Sequence, residues 1–468
     1  MLKNKISYFN KYCRSITKER QPVNKLLTIG SITLIAIASV WFVFNILHQP
    51  PYGDTVEYWE LSQTLQVDSW RTIFYPVILH ILSHVTSSYP WVPLYFLQTI
   101  VSLCTAYYFV CTLNKGYFPG DQQPSRKSAL VLTAALASLP LVNHFGLTTL
   151  TDSLSTSFFI LSLLGIIRIF VLSPSKSSKS DLTITSISTL FTVLLRPERA
   201  YVITLVLLII LVRSVASKHF KHLAISMVVM LPLITGVCIN SLTQTADHGR
   251  PKLSVKFVLF DRLVRGNLEH IYFETPKELQ NTISLEAARE WDADPNRFVI
   301  FSSLLSSPEG SEIARSVITT SIQQRWWPTL VSIAGDVVEY IFAPFTYLKE
   351  TLLNTADTTA WNNSRMSYHH PLLSKIYIYY FVVLQILMIV LAPSWVRHIL
   401  RESKIRYIAI YFAIAVLLLA IMYGLRTGAD FNIRYGLPIY FLILGFMIWA
   451  TYAYYFTART QLKQAKER

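Results

Sequence analysis

Apolar residues in this chain gather into runs near the length a bilayer demands, about 20 residues per helix. Such runs occupy 26–48, 91–113, 128–143, 153–172, 222–240, 373–392, 406–425 and 434–456. Two shorter runs, Leu182 to Leu195 and Tyr201 to Val212, are parted by Arg196-Pro197-Glu198-Arg199. Proline disfavours a helical residue before it and suits the first turn of a helix after it, so the chain is expected to break there between two spans. The pattern predicts an all-α polytopic membrane protein, a bundle of about ten transmembrane helices.

Two further apolar stretches fail as spans. Thr72 to Thr86 would reach only about 22 Å as a helix, short of the roughly 30 Å hydrocarbon layer. It carries His80 and His84 and runs into Tyr89-Pro90-Trp91, whose aromatics suit an interface, so it is read as an amphipathic helix lying on the surface. Leu330 to Leu348 holds Asp336 and Glu339 at its centre and Pro344 near its end, and is read the same way.

Charge supports this threading. The net charge of +15 would suggest a nucleic-acid partner in a soluble protein. Here the basic residues sit in short loops at span ends: Lys115, Arg126 and Lys127; Lys176 and Lys179; Arg213, Lys218 and Lys221; Arg397, Arg401, Lys404 and Arg406; Lys463, Lys466 and Arg468. With the amino terminus inside, every cluster falls on the cytoplasmic side, and letting 72–86 cross would send the first of them outside. The positive charge reports topology, and no nucleic-acid partner is expected. The basic stretch through Lys25 leads straight into the first run with no small-residue cleavage site, so that run is read as a retained span. Of the four cysteines, Cys13 lies in the basic tail and Cys104, Cys111 and Cys238 lie inside apolar runs, a distribution that predicts neither disulfide nor metal site.

The expected organisation is a cytoplasmic basic tail (1–25), a transmembrane module (26–243) whose first outer loop spans 49–90, an extracytoplasmic region with interfacial helices (244–372), carboxy-terminal transmembrane helices (373–457) and a cytoplasmic tail (458–468). The large outer region carries Trp291, Trp326, Trp327 and Trp361, suited to covering a site and reading an acceptor or to anchoring at the interface.

Threaded this way, acids and arginines converge on one face. After the first span comes "YGDTVEYWELSQTLQVDSWRTIFYP", in which Asp54, Tyr58, Leu61 and Leu65 recur at helical spacing and Arg71 precedes Tyr75-Pro76. Asp54 and Glu57 also have capping-box spacing, so Asp54 has a purely structural reading as a helix cap. Asp152, in "NHFGLTTLTDSLSTSFF", stands at the outer start of the fourth span, where capping by Asp152 or Thr151 is the competing explanation. "LLRPERAY" supplies Arg196 and Arg199, and "ADFNIRYGLPIY" supplies Arg434, Tyr435 and Pro438. Arginine's planar fork of donors suits a phosphate at the membrane surface, and a carboxylate beside it can take a proton from an acceptor hydroxyl or amine. His144 is a further candidate for moving that proton, against the ordinary alternative of an interfacial histidine.

The order of these elements resembles the GT-C glycosyltransferases that use polyprenyl-phosphate sugars, among them protein O-mannosyltransferases and lipid A aminoarabinose transferases. The likeness rests on an acid soon after the first span, a tyrosine one turn later, Arg-x-x-x-Tyr-Pro leading into a surface helix, an acid opening the fourth span, the basic break, and a late Arg-Tyr-x-x-Pro. It covers residues 1 to about 215 and the motif near 434. One departure concerns the first acid: the family often has Glu directly after it, whereas here Asp54 is followed by Thr55 and Glu57 comes later. The resemblance implies a GT-C-like bundle in the inner (cytoplasmic) membrane with its active site on the extracytoplasmic face. It implies an inverting transfer of sugar from a polyprenyl-phosphate donor to a glycolipid, polysaccharide or protein acceptor. Asp54 would be the general base and Asp152 would position substrate or orient the site. Arg71, Tyr75, Arg196, Arg199, Arg434 and Tyr435 would hold the donor phosphate, with Glu57, Tyr58 and His144 as further candidates. No cofactor is expected, though two acids sharing a divalent ion stays open. The rival readings are an O-antigen ligase or polymerase, which would rely on a large late outer loop, and a lipid-linked-sugar flippase or transporter, which would show repeats and mid-membrane charge.

Overall fold

The computed structural model describes residues 28–47, 53–65, 72–86, 89–118, 123–172, 178–216, 220–243, 267–289, 310–342, 371–427 and 433–467. Arg71, Trp291, Trp361, Pro344 and Cys13 lie outside the described residues, as do the side chains of Asp54 and Arg434. The described chain is helical, with no strand among the described residues. In order, its helices are α1 (Thr28–Asn45), α2 (Gly53–Thr64), α3 (Phe74–Ser83), α4 (Val92–Tyr117), α5 (Arg126–Ala137), α6 (Pro140–Gly146), α7 (Asp152–Ile167), α8 (Lys179–Leu195), α9 (Arg199–Ala216) and α10 (Phe220–Thr243). After these come α11 (Leu268–Ile271), α12 (Lys277–Thr282), α13 (Leu285–Arg289), α14 (Gly310–Ile341), α15 (Pro371–Ile399), α16 (Ser403–Thr427) and α17 (Ile433–Glu467).

Among the described residues, 7 helices are long and apolar enough to cross a membrane: α1, α4, α7 with its π-helical extension to Leu172, α9, α10, α16 and α17. The run expected as the third span is instead a broken pair, α5 and α6, bent by 71°. The cause is local. Pro140 has no N–H to continue the ladder, Leu139 before it is extended, and the proline opens the next helix at its first turn.

Two helices form the centre. The span windows of α7 and α17 are 78% and 72% buried, against 28% for α1 and α10, which places the latter at the lipid-facing periphery. α7 is buried on nearly every side, and small residues let its neighbours come close. Ser157 reaches Ser102 of α4, Ser162 bonds Thr189 of α8 at 2.6 Å, and Gly165 lies directly against the Thr185 side chain, where a Cβ would not fit.

The first loop folds onto this centre. α3 has 10 residues, about 15 Å of helix, and cannot span. It packs along α2, where His80 Nδ1 lies 2.8 Å from the Ser62 carbonyl, and against α8, where Phe74 stacks on Phe191 at 5.2 Å.

The segment expected as a free surface helix from 330 is the second half of α14. That helix bends at Arg325, whose φ of −125° is not helical, and its second half packs on α16. The Asp336 and Tyr340 side chains are buried, while Leu330, Val331 and Val338 are exposed, so the acid in the middle of this apolar run faces protein.

Candidate functional site

Three helix ends meet where α8 breaks. The backbone leaves α8 at Arg196, whose ψ of 84° is non-helical, and turns through Pro197-Glu198 into α9 at Arg199. Because α7 and α8 run antiparallel, this turn comes back to the start of α7 and so to Asp152. Arg196 Nη2 donates to Asp152 Oδ1 at 2.7 Å, and Nη1 to Glu198 Oε1 at 3.3 Å. Asp152 is fully buried and Arg196 is 7% exposed. Burial alone disfavours the guanidinium charge, but Asp152 and Glu198 more than offset it, with Tyr435 and Tyr58 also close enough to act on it, and Arg196 stays protonated well above its ordinary range. Asp152 is not the helix cap: α7 begins at Asp152, its cap residue is Thr151, and no side chain caps it. The arginine and the first turn of α7 both set positive charge beside the carboxylate.

Arg199 is buried completely. Its Nε donates to the Tyr423 hydroxyl at 3.0 Å, and its Nη1 to Ser155 Oγ at 3.0 Å and Thr156 Oγ1 at 3.2 Å. These partners are neutral, and among the described residues no carboxylate lies within ion-pair distance of it. Its Nη2 and the Nε of Arg196 are buried and have no hydrogen-bond partner among the described residues. A buried guanidinium with one neutral hydroxyl set around it and one edge unmatched is costly unless an anion completes it.

Tyrosines join the two arginines. The Arg196 guanidinium carbon lies 5.3 Å from the Tyr435 ring centre, Tyr435 stacks on Tyr423 at 5.3 Å with planes 17° apart, and Tyr423 receives Arg199. Tyr58, on α2, sits beside Tyr75, on α3, with ring centres 4.9 Å apart. The residues that the chain places far apart in sequence are thus gathered: Tyr58, Tyr75, Asp152, Arg196, Arg199 and Tyr435.

Other candidates stand elsewhere or outside. Glu57 is partly buried on α2, and Asp54 lies in the first turn of that helix rather than before it. Arg434 opens α17 next to Tyr435. His144 is placed by the rings of Trp41, at 6.4 Å, and Phe145, at 5.2 Å, on the α1 side. Sequence reasoning missed Tyr423, Ser155 and Thr156. Ser155 and Thr156 follow Asp152 within one helical turn, a signal present in the quoted stretch; Tyr423 carried only its position near the end of an apolar run. Among the described residues no three His, Cys, Asp or Glu side chains gather as metal ligands would.

The helices long and apolar enough to cross a membrane and the charged cluster at their ends can be set beside known proteins. Residues 27–248 match the model of the Alg9-like mannosyltransferase family. The match takes in α1 to α10, with Asp152, Arg196 and Arg199, and ends before the helices that carry Tyr423 and Tyr435. Among solved structures, the crystal structure of ArnT from Cupriavidus metallidurans bound to undecaprenyl phosphate is similar, at 13% identity over 89% of this chain and 77% of that one, with a TM-score of 0.37. No curated protein sequence matches the chain.

Proposed function

We propose that this protein is a glycosyltransferase that takes its sugar from a polyprenyl-phosphate donor at the extracytoplasmic face, and that Arg196 and Arg199 hold the phosphate as it leaves. The observation that carries this reading is Arg199, a fully buried guanidinium held, among the described residues, only by neutral oxygens and with one N–H edge unmatched. A phosphate oxygen supplies the missing charge and acceptors together. Arg71 and Arg434, from the first loop and the start of α17, complete the cradle on this reading.

Asp152 is committed to Arg196 at 2.7 Å and keeps that arginine in place; it is not free to act as base. That role falls to Asp54, in the first turn of α2 on the same element as Tyr58. Proton transfer from the acceptor to Asp54 as the acceptor oxygen or nitrogen attacks the sugar carbon opposite the phosphate inverts that carbon. Positioned bases of this kind contribute about 10²- to 10⁴-fold. The family match makes mannose the first sugar to test, and glycolipid, polysaccharide and protein the acceptor classes.

The direct test is a comparison of glycolipids and glycans from cells with and without the gene, followed by transfer from a synthetic polyprenyl-phosphate mannose in proteoliposomes. Loss of one glycoform without the gene, restored by the wild-type chain and not by Asp54→Asn, is the expected result. A glycome unchanged by deletion, or full activity of inserted Asp54→Asn protein, overturns the assignment.

A further inference from the structure

We infer that Tyr423 is a positioning residue for the donor phosphate, acting through Arg199. The inference rests on the donor-phosphate reading above and adds a residue from α16, outside the matched family region. Arg199 is clamped from two sides. Ser155 and Thr156 of α7 take one terminal nitrogen, and Tyr423 takes the Nε–H at 3.0 Å. Bonds at Nε and at one Nη leave the remaining Nη2 edge aimed in one direction, and that is the edge without a partner. Without the tyrosine hydroxyl, the guanidinium keeps its α7 bonds and loses the contact that sets its rotation.

Tyr423 is itself held firmly. Its ring is wholly buried, stacks on Tyr435 at 5.3 Å and lies 5.7 Å from the Tyr340 ring of α14. The next residue, Gly424, lets α14 come close: a Cβ there would stand 2.9 Å from Val337 Cγ2 and 3.1 Å from the Val337 backbone nitrogen. The hydroxyl therefore sits at the end of a ring that cannot swing without moving a helix. Packing and hydrogen bonding separate cleanly here, because Tyr423→Phe keeps every ring contact and removes only the acceptor.

The test titrates undecaprenyl phosphate in detergent micelles into the purified full-length chain and into Arg199→Ala, Tyr423→Phe and the double variant, with the melting midpoint of each free protein measured alongside. Arg199→Ala is expected to weaken binding at least tenfold, and Tyr423→Phe about tenfold, as for loss of a hydrogen bond to a charged group. The double variant is expected to bind no more weakly than Arg199→Ala alone, since the tyrosine acts only through the arginine. Wild-type affinity in Tyr423→Phe, or a double variant weakened by the product of the two single effects, overturns the inference and leaves the donor reading standing. Affinity unaffected by Arg199→Ala overturns the donor reading, and the inference with it.

Discussion

The two ends of the α7–α8 hairpin carry the same kinds of residues in different balance. At the Arg168 end, the buried Asp181 lies 3.0 Å from Arg168 Nε and accepts the Tyr108 hydroxyl at 2.9 Å, while the guanidinium covers the Tyr108 ring at 4.5 Å. One acid meets one base. At the Asp152 end, the same acid–arginine–tyrosine grouping is joined by a second buried arginine whose partners among the described residues are all hydroxyls. Buried charge alone therefore does not mark a binding site, because both ends have it. What sets the Asp152 end apart is Arg199, which among the described residues has no carboxylate within ion-pair distance. The Arg168 end joins α4, α7 and α8, and on the reading proposed above the Asp152 end takes an anion.

Three substitutions, one in α2 and two at the Asp152 end, should break this contrast, in falling order of effect. Asp54→Asn is expected to lower transfer by about 10³-fold, within the range of a lost general base, with insertion and donor binding retained; rates in proteoliposomes check it. Arg199→Ala should raise the donor concentration needed for half-maximal transfer by at least tenfold, as for loss of hydrogen bonds to a charged group. Unchanged donor dependence would make this end as structural as the other. Asp152→Asn should lower stability by about 3 kcal/mol by leaving Arg196 underpaired. Adding Arg196→Gln is expected to restore the melting midpoint while donor binding stays weak, which separates the pair's structural part from its part in the site.

Much of this was readable in the chain. Run length and flanking charge gave the helices and the break at Arg196-Pro197, since proline and desolvated backbone act locally. The four clusters of acid, arginine and tyrosine could be named because each stands at a span end. What stayed hidden was pairing. That Asp152 would meet Arg196, rather than cap α7, depends on α8 returning antiparallel and ending level with it, a tertiary fact. Tyr423 was hidden for the same reason: it lies in an apolar run whose outward appearance is that of a span, and its hydroxyl matters only because α16 packs beside α9. The bend between α5 and α6 was missed although its signal, Pro140, was in plain view, because the apolar pattern continues through it. The helix from 330 was read as lying on the surface because its central acids and the flanking charges spoke against its crossing; what the chain did not show is that Asp336 turns inward to protein.

The smallest expected effect on chemistry sharpens the comparison most. Asp181→Asn at the matched end removes the charge that Arg168 faces, in a position where the Asp181 side chain is 6% exposed and Arg168 17%. Stability should fall by about 2 kcal/mol, as for a largely buried charged group left without its partner. Transfer per folded molecule should stay at the wild-type value, because the cluster lies a full helix length from Asp152, about 24 Å along α7. Asparagine retains an acceptor for the Tyr108 hydroxyl, so the three helices keep their register and the loss reads out only as a lower melting midpoint. If instead the donor dependence of transfer shifted with Asp181→Asn, strain would be passing along the tightly packed α7–α8 contact at Gly165 and Thr185, and the two ends would have to be treated as one coupled unit.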